Sequence, residues 1–235
     1  MKIATNKDFA VTYDQRTRVI GLENAAEEGR YSYRLLKKFI RPGMKVLDLG
    51  CGRGSILNPL ADQGVNVTGI DYSKESVNLL KEAGRDVVQG IIPDILNNFN
   101  SSSFDAIISF EFLEHLDQTD IERVFIESKR LLKPKGLLIF TVPKDEDLST
   151  KIIACPHCHE KFHLHGHLSS FSAQKIHDLA QKHGFRIRKI YRIYGLVAYK
   201  LHIPLWIIRI LSNFEIKIKK IRRPIGNFMV VLESY

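Results

Sequence analysis

Short apolar runs alternate with amphipathic stretches through the middle of the chain. The runs are rich in Val, Ile, Leu and Phe and occupy residues 46–49, 65–70, 86–89, 104–110 and 137–142. Runs of this composition predict buried strands. The stretches between them predict helices: one begins near Ser55, one is capped by Ser73, and one spans 119–132. Strands and helices in this order predict an α/β fold with a doubly wound, mostly parallel sheet.

Three glycines in alternate positions follow the first strand, in the order Asp48-x-Gly50-x-Gly52-x-Gly54. Glycine lets the backbone turn sharply and approach a ligand closely, and the first amides of the next helix would face whatever lies in the turn. A dinucleotide-binding turn has a further glycine where this chain has none, and Asp48 would repel a diphosphate and attract an ammonium. The turn therefore predicts a polar ligand at the carboxyl end of a strand.

An acid, Asp71, ends the second strand about twenty residues beyond the glycine turn. At this place in an α/β sheet, a carboxylate can accept hydrogen bonds from both hydroxyls of a ribose. Nicotinamide-dependent enzymes bind the ribose with an acid in the same place, so a nicotinamide oxidoreductase is an alternative. Asp48 and the glycine pattern disfavour it. The other interpretation is that Asp71 only caps a turn.

The segment 48–54 resembles the D-x-G-C-G-x-G motif of class I S-adenosylmethionine-dependent methyltransferases. Residues 132–138 are similar to the L-K-P-x-G-x-L run of the same family, so the resemblance covers residues 45–143. It implies a Rossmann-like sheet of seven strands, of which the last two, at 186–193 and 227–232, form an antiparallel C-terminal hairpin. It also implies S-adenosylmethionine as the cofactor.

The same resemblance implies a set of cofactor-binding residues. They are Asp48, Gly50, Cys51, Gly52, Gly54, Asp71, Tyr72 and Phe110. The family usually has an acid shortly after the third strand for the adenine amine, but this chain has Gly90, Ile91 and Ile92 there. Asp94 is the nearest acid, so we expect backbone groups or Asp94 to bind the adenine.

The fourth strand leads directly into Glu111, Glu114 and His115. The family presents the transferred methyl group at this point, so we expect these three side chains to face the acceptor as catalytic residues. One interpretation makes His115 or Glu114 a general base. The resemblance to ubiquinone-biosynthesis O-methyltransferases and small-RNA 2′-O-methyltransferases implies another, in which the group binds Mg²⁺ or Mn²⁺. A third interpretation is that the group only shapes the loop.

Two cysteines and five histidines lie within residues 155–167. A Cys-x-x-Cys pair can bind a tetrahedral ion, and nearby histidines can complete its coordination. The predicted ligands of a structural Zn²⁺ are Cys155, Cys158, His163 and His167. His165 is an alternative to either histidine, and bacterial class I methyltransferases with a C-P-x-C and F-H-x-x-G-H insertion look similar. Two alternatives remain: a solvated loop with free thiols, or His167 facing Glu111 to His115 as a ligand or base.

Positive charge dominates the chain and is concentrated towards its carboxyl end. The formal net charge is +9, which favours acidic partners. Residues 195–224 combine apolar positions at helical spacing with many Lys and Arg, and the apolar run is too interrupted to span a bilayer. We predict a basic amphipathic lid over the substrate crevice. Contact with a membrane surface is the next interpretation, and contact with nucleic acid is the third.

We predict a single domain over residues 1–235. Its parts are an N-terminal helical cap at 1–43, a cofactor-binding core at 44–143, a zinc-binding insertion at 150–170 and the lid at 195–224. The few cysteines and the polar N-terminus favour the cytoplasm, with membrane association as an addition. The predicted function is methyl transfer to oxygen of a small-molecule or lipid- or saccharide-linked acceptor. The alternative is an RNA methyltransferase or a zinc-knuckle nucleic-acid-binding protein.

Overall fold

The computed structural model describes residues 33–155, 159–193 and 226–235. The predicted lid at 195–224 and most of the N-terminal cap lie outside these residues, as does Cys158. Of the cap, residues 33–36 are helical, and Leu36 and Ile40 are buried. Within the described residues, no helix combines the length and the apolar character needed to cross a membrane.

Seven strands form one sheet. They are β1 (Lys45–Leu49), β2 (Asn66–Asp71), β3 (Val87–Gln89), β4 (Phe104–Phe110), β5 (Leu132–Pro143), β8 (Phe185–Ile193) and β9 (Asn227–Ser234). Two further strands, β6 (Ile152–Ala154) and β7 (Lys161–His163), pair as a separate antiparallel hairpin. Four α-helices connect and cover these strands in the described ranges: α1 (Leu57–Asp62), α2 (Lys74–Glu82), α3 (Gln118–Leu131) and α4 (Ala173–Lys182).

The strand order of the sheet is β3-β2-β1-β4-β5-β9-β8. Neighbouring strands are parallel except for β9, which runs antiparallel to both β5 and β8. This order confirms the predicted doubly wound sheet with an antiparallel C-terminal hairpin. The largest difference in a strand boundary is at β5, and the others are one or two residues. β5 begins at Leu132 rather than at 137, because Leu132 already pairs with Phe104, and residues 133–136 bulge before Leu137 pairs with Ala106.

The sheet is buried on both faces, which explains why its strands are apolar throughout. Leu47 and Leu49 of β1 belong to the core cluster that includes Ile121 of α3. Val46 belongs to the cluster on the other face, together with Leu57 of α1. Parallel sheets need such cover on both sides. The core therefore holds the strands in place, and the loops at their ends carry the polar groups.

The carboxyl ends of β1, β2 and β4 meet at one edge of the sheet. β1 lies between the other two strands, and Asp48 has a partner in each of them. The turn beyond β1 is tied to β2, because the amides of Gly50 and Cys51 donate to the carbonyl oxygen of Ile70 at 2.9 and 3.0 Å. The glycine turn, Asp71 and the loop after β4 are therefore neighbours, as ligand sites in open α/β sheets require.

Gly50 lets the loop after β4 lie against the glycine turn. Its φ of +72° is in the left-handed region, and a Cβ at this position would stand 2.5 Å from Cδ2 of Phe112. A residue without a side chain satisfies both the dihedral angle and the contact. The contact brings the loop that carries His115 next to the turn.

We expect Gly50→Ala to lower the free energy of unfolding by about 2–4 kcal/mol, because it combines left-handed strain with overpacking against Phe112. Gly84 is the matched control: its φ is +71° and no atom lies within 4 Å of an added Cβ. Gly84→Ala should therefore lose only about 1–2 kcal/mol. Urea denaturation measures both losses. Equal losses would show that Phe112 does not constrain the turn, whereas Phe112→Ala should recover part of the difference in the Gly50→Ala background.

Candidate functional site

The glycine turn leaves open space at the edge of the sheet. Gly52 has a φ of +50°, and no atom lies within 4 Å of the place where its Cβ would stand. The backbone at this point is therefore open to close approach by a ligand. The neighbouring Tyr72 is also exposed.

Asp71 holds the turn and the following helix together. Its Oδ2 accepts a hydrogen bond from the amide of Gly52 at 2.7 Å, and its Oδ1 accepts one from the amide of Ser73 at 2.8 Å. The carboxylate therefore has a turn-capping role. A carboxylate can accept from several donors at once, so this role does not exclude hydrogen bonds from hydroxyls of a ligand.

Cys51 contributes to the turn through packing. Its side chain is buried, and Sγ stands 2.7 Å from the place that a Cβ on Gly69 would take. Burial, reinforced by the charges of Asp48 and Asp71, raises the pKa of this thiol far above its ordinary value. The thiol is therefore neutral and unreactive. Phe110, at the end of β4, packs against the same core cluster.

Asp48 is a buried acid beneath the turn. Its exposed fraction is 2%, and its Oδ2 has no hydrogen-bond partner among the described residues. Burial, reinforced by the negative charge of Asp71, raises the pKa of this carboxyl to about 8. A cationic ligand nearby would favour the ionised carboxylate, which agrees with the ligand charge predicted from the sequence.

Asp94 already has a charged partner. It begins a 3₁₀ helix, Asp94–Asn98, and its carboxylate pairs with Arg123 of α3 at 2.6 Å. An adenine amine would have to compete with this ion pair for the carboxylate. If backbone groups bind the adenine instead, the ion pair between Asp94 and Arg123 does not have to break.

The loop after β4 places the three predicted catalytic residues at different depths. Glu111 is exposed, His115 is half-buried, and Glu114, in the 3₁₀ turn Leu113–His115, has an exposed fraction of 1%. Neither carboxyl oxygen of Glu114 has a hydrogen-bond partner in the described part of the chain. Burial, reinforced by the charge of Glu111, raises the pKa of Glu114 well above its ordinary value. Burial therefore favours the neutral form of Glu114.

The histidine-rich loop folds back onto this 3₁₀ turn. The amides of Leu168 and Ser169 donate to the carbonyl oxygen of Glu114 at 2.8 and 3.0 Å. Oγ of Ser169 donates to the carbonyl oxygen of Leu116 at 2.8 Å. These bonds make the insertion one wall of the site.

His115 and His167 come together at this wall. Nδ1 of His115 lies 3.2 Å from the carbonyl oxygen of Gly166, and the ring centroids of His115 and His167 are 5.0 Å apart in an edge-to-face arrangement. Nitrogen and oxygen atoms of Glu114, His115 and His167 that can bind a metal lie within 4.8 Å of one another. This geometry matches the hypothesis in which His167 faces the Glu-x-x-Glu-His group.

A second cluster shares His167 and includes a residue that the sequence did not indicate. Glu146, in the loop after β5, is hydrogen-bonded to Nδ1 of His167, and its Oε1 lies 3.8 Å from Nε2 of His163. Metal-binding atoms of these three residues also lie within 4.8 Å of one another. Glu146 is one of three acids within residues 145–147, and no spacing in the sequence distinguishes it from the other two.

The predicted zinc ligands lie only partly within the described residues. Cys155 follows β6, and its amide donates to the carbonyl oxygen of Glu160 at 2.8 Å, but Cys158 lies outside the described ranges. As far as these ranges extend, Cys155 belongs to neither metal-binding cluster. The site formed by Cys155, Cys158, His163 and His167 stays a prediction.

We expect Asp48→Asn to stabilise the ligand-free protein increasingly as the pH rises. The wild-type carboxyl has a pKa raised from 3.8 to about 8 on folding, so its contribution to stability is present at low pH and is lost as the pH rises to about 8. Because asparagine stays neutral, the advantage of the variant should grow by at most about 1.4 kcal/mol per pH unit and then level off. Chemical denaturation at pH 5, 7 and 9 measures this advantage. A difference independent of pH would show that Asp48 is ionised in the folded protein.

Comparison with known proteins agrees with this geometry. A family model described as a methyltransferase domain matches residues 25–190, well over half of the chain. The ubiquinone biosynthesis O-methyltransferase of Actinobacillus pleuropneumoniae is 38% identical over 108 residues, which are 42% of this chain and 45% of that protein. The chain thus spans less than half the length of the curated relatives it matches.

Two solved structures have the same fold. The S-adenosylmethionine-dependent methyltransferases of Archaeoglobus fulgidus and Mesorhizobium loti superpose with TM-scores of 0.65 and 0.62, and each is 17% identical to this chain. The matches cover 88% and 91% of this chain and 94% and 100% of theirs. The family match, the sheet order and the glycine turn lead to one conclusion: the chain belongs to the class I S-adenosylmethionine-dependent methyltransferases.

Proposed function

We propose that this enzyme methylates a hydroxyl oxygen of a small-molecule or lipid- or saccharide-linked acceptor, with His115 as the general base. The observation that carries the proposal is the distance of 3.2 Å between Nδ1 of His115 and the carbonyl oxygen of Gly166. A carbonyl oxygen only accepts, so the ring proton belongs on Nδ1. Nε2 is then the nitrogen that can take up a proton, as a base acting on a hydroxyl requires.

The reaction needs the acceptor oxygen in line with the methyl group. The packing of Phe112 against Gly50 keeps the loop of His115 beside the turn that we assign to the cofactor. S-adenosylmethionine would supply the methyl group to the acceptor oxygen and leave as S-adenosylhomocysteine, and Nε2 of His115 would take up the proton of the acceptor hydroxyl. Orientation of the two reactants and exclusion of water supply much of the rate.

The cofactor assignment follows the groups at the edge of β1 and β2. Asp71, which the amides of Gly52 and Ser73 hold at the end of β2, would accept from the ribose hydroxyls. The positive charge of the cofactor would favour the ionised form of Asp48. This attraction would offset the cost of burying the Asp48 carboxylate. Gly50 and Gly54 shape the turn, while Cys51, Tyr72 and Phe110 complete its surroundings.

The choice of oxygen draws support from the matched relatives. They are named as O-methyltransferases of ubiquinone biosynthesis. That name describes those proteins, and the matched segment is less than half of each of them. The name therefore supports oxygen as the methylated atom. The class of acceptor is our proposal and is not taken from the relatives.

A divalent ion fits the same residues as an alternative to a base. Glu114 offers a buried carboxyl without hydrogen-bond partners among the described residues, and metal-binding atoms of His115 and His167 lie within 4.8 Å. Carboxylate and imidazole ligands suit Mg²⁺ or Mn²⁺. Bound there, an ion would lower the pKa of an acceptor hydroxyl. Glu111 is not part of this cluster within the described residues.

Two parts of the proposal depend on the sequence alone. We retain a structural Zn²⁺ bound by Cys155 and Cys158 with two of the nearby histidines. We also retain residues 195–224 as a basic lid in contact with a membrane surface, which would suit a lipid-linked acceptor. The nucleic-acid alternative rests on positive charge and the Cys/His pattern.

We expect Asp71→Ala to weaken S-adenosylmethionine binding about 10–100-fold, because the cofactor loses a charged acceptor and Gly52 loses its anchor. Asp62, an exposed acid at the end of α1 that pairs with Arg85, is the matched control. Asp62→Ala should bind the cofactor like the wild type in isothermal titration calorimetry. Unchanged affinity in Asp71→Ala would remove its ribose-binding role.

We expect His115→Ala to lower turnover about 100-fold or more while changing S-adenosylmethionine affinity less than threefold, because the residue acts on the acceptor. The measurement is S-adenosylhomocysteine release with a panel of phenols, catechols, saccharides and lipid-linked alcohols, together with amines and thiols. The control is His177→Ala, which removes an exposed histidine of α4. Normal turnover in His115→Ala would exclude His115 as the base. Turnover with amines or thiols but with no hydroxyl would exclude oxygen as the methylated atom.

A further inference from the structure

The Cys/His insertion brings a histidine to the wall of the site together with a carboxylate that holds it. Nδ1 of His167, the ring beside His115, is hydrogen-bonded to Oε2 of Glu146. The side chains of His167 and Glu146 are only 11% and 12% exposed. Glu146 belongs to neither the glycine turn nor the loop after β4, so the proposed function leaves it without a role.

Each carboxyl oxygen of Glu146 has a partner: Oε2 is hydrogen-bonded to Nδ1 of His167, and Oε1 pairs with the ammonium group of Lys151, whose positive charge favours the ionised carboxylate. Nζ of Lys151 lies 3.2 Å from its Oε1. A carboxylate only accepts, so the proton between the two side chains belongs on Nδ1 of His167. Nε2 is then the basic nitrogen of that ring.

His163 supports the backbone of His167. Nδ1 of His163 accepts a hydrogen bond from the amide of His167 at 3.3 Å, so the ring proton of neutral His163 belongs on Nε2, which is 3.8 Å from Oε1 of Glu146. Nε2 of His163 has no hydrogen-bond partner among the described residues, so of the two rings only His167 is hydrogen-bonded to the carboxylate. An ion bound at Nε2 of His163 would need that nitrogen without its proton. The arrangement therefore fits a hydrogen bond between His167 and Glu146, with His163 beside them, better than one ion shared by all three residues.

We propose that Glu146 is a positioning residue of the acceptor site: its carboxylate keeps the proton of His167 on Nδ1, and so makes Nε2 of His167 available beside Glu114 and His115. This inference rests on the proposed function for the position of the acceptor. His115 and His167 then share one design, in which an oxygen acceptor holds Nδ1–H and the other nitrogen is basic. Such a partner orients an imidazole and makes it a stronger base or metal ligand.

The same assignment bears on the predicted zinc site. With Nδ1 of His167 held by Glu146 and its ring beside His115, His167 serves the acceptor site. A Zn²⁺ at the cysteine pair would then use His165, the alternative ligand. The ring centroid of His165 lies 5.6 Å from that of His167.

The tautomer of His167 provides the test. Long-range ¹H–¹⁵N correlation of the imidazole nitrogens in the full chain reports which ring nitrogen carries the proton, with His167→Gln used to assign the signals. We expect Nδ1–H in the wild type and in Glu146→Gln, because the amide oxygen of glutamine still accepts. Glu146→Ala should shift the proton towards Nε2. Glu160→Ala, which removes an exposed glutamate of the same insertion, is the matched control and should leave the signals of His167 unchanged.

A proton that stays on Nδ1 in Glu146→Ala would overturn the proposal, and so would one on Nε2 in the wild type. If Glu146→Ala does not fold, Glu146→Asp provides the comparison, because its shorter side chain withdraws the carboxylate from Nδ1. Turnover should fall about 10–100-fold in Glu146→Ala, recover largely in Glu146→Gln, and leave S-adenosylmethionine affinity unchanged.

The two proposals fail in different ways. A changed tautomer in Glu146→Ala together with normal turnover in His115→Ala would reject the base and keep the positioning role. An unchanged tautomer in Glu146→Ala together with inactive His115→Ala would reject the positioning role and keep the base.

Discussion

Parallel pairing of β1 with both β2 and β4 is the constraint on which the site depends. It brings the carboxyl ends of three strands to one edge, so that a turn, an acid and a catalytic loop from distant parts of the chain become neighbours. The contact between Gly50 and Phe112 then closes the distance between the turn and the loop. Because this contact leaves no space for a side chain at Gly50, the turn proposed to bind the cofactor and the loop proposed to face the acceptor pack against each other.

Two buried acids lie at this edge, and neither is paired with a basic side chain in the described structure. Asp48 lies beneath the cofactor turn and Glu114 beneath the acceptor loop, and burial raises the pKa of both carboxyls. Such groups oppose folding when ionised, and they cluster where a protein must respond to charge. A sulfonium-bearing cofactor would favour ionisation of Asp48. For Glu114, a nearby cation or a group that accepts its proton would favour ionisation.

The Cys/His insertion carries the proposed zinc ligands and also contacts the loop after β4. Its backbone is hydrogen-bonded to the carbonyl oxygen of Glu114, and its carbonyl group at Gly166 orients His115. The hairpin of β6 and β7 thus supports a loop that contacts the catalytic turn. Any ion bound by the cysteines would stabilise this loop and, through it, the ring of His115.

The sequence by itself determined the sheet and the cofactor edge, because both depend on local patterns: apolar runs for buried strands, glycines where φ is positive, and an acid, Asp71, that ends a strand. It also indicated Glu114 and His115 as a group. Only the tertiary structure decided that Glu114 is buried and that Glu146 holds His167. Glu146 and His167 are 21 positions apart, and their contact depends on how the loop after β5 folds back over the loop after β4. Periodicity along the chain does not encode that path. The folded backbone determines the path through its hydrogen bonds to the carbonyl oxygen of Glu114.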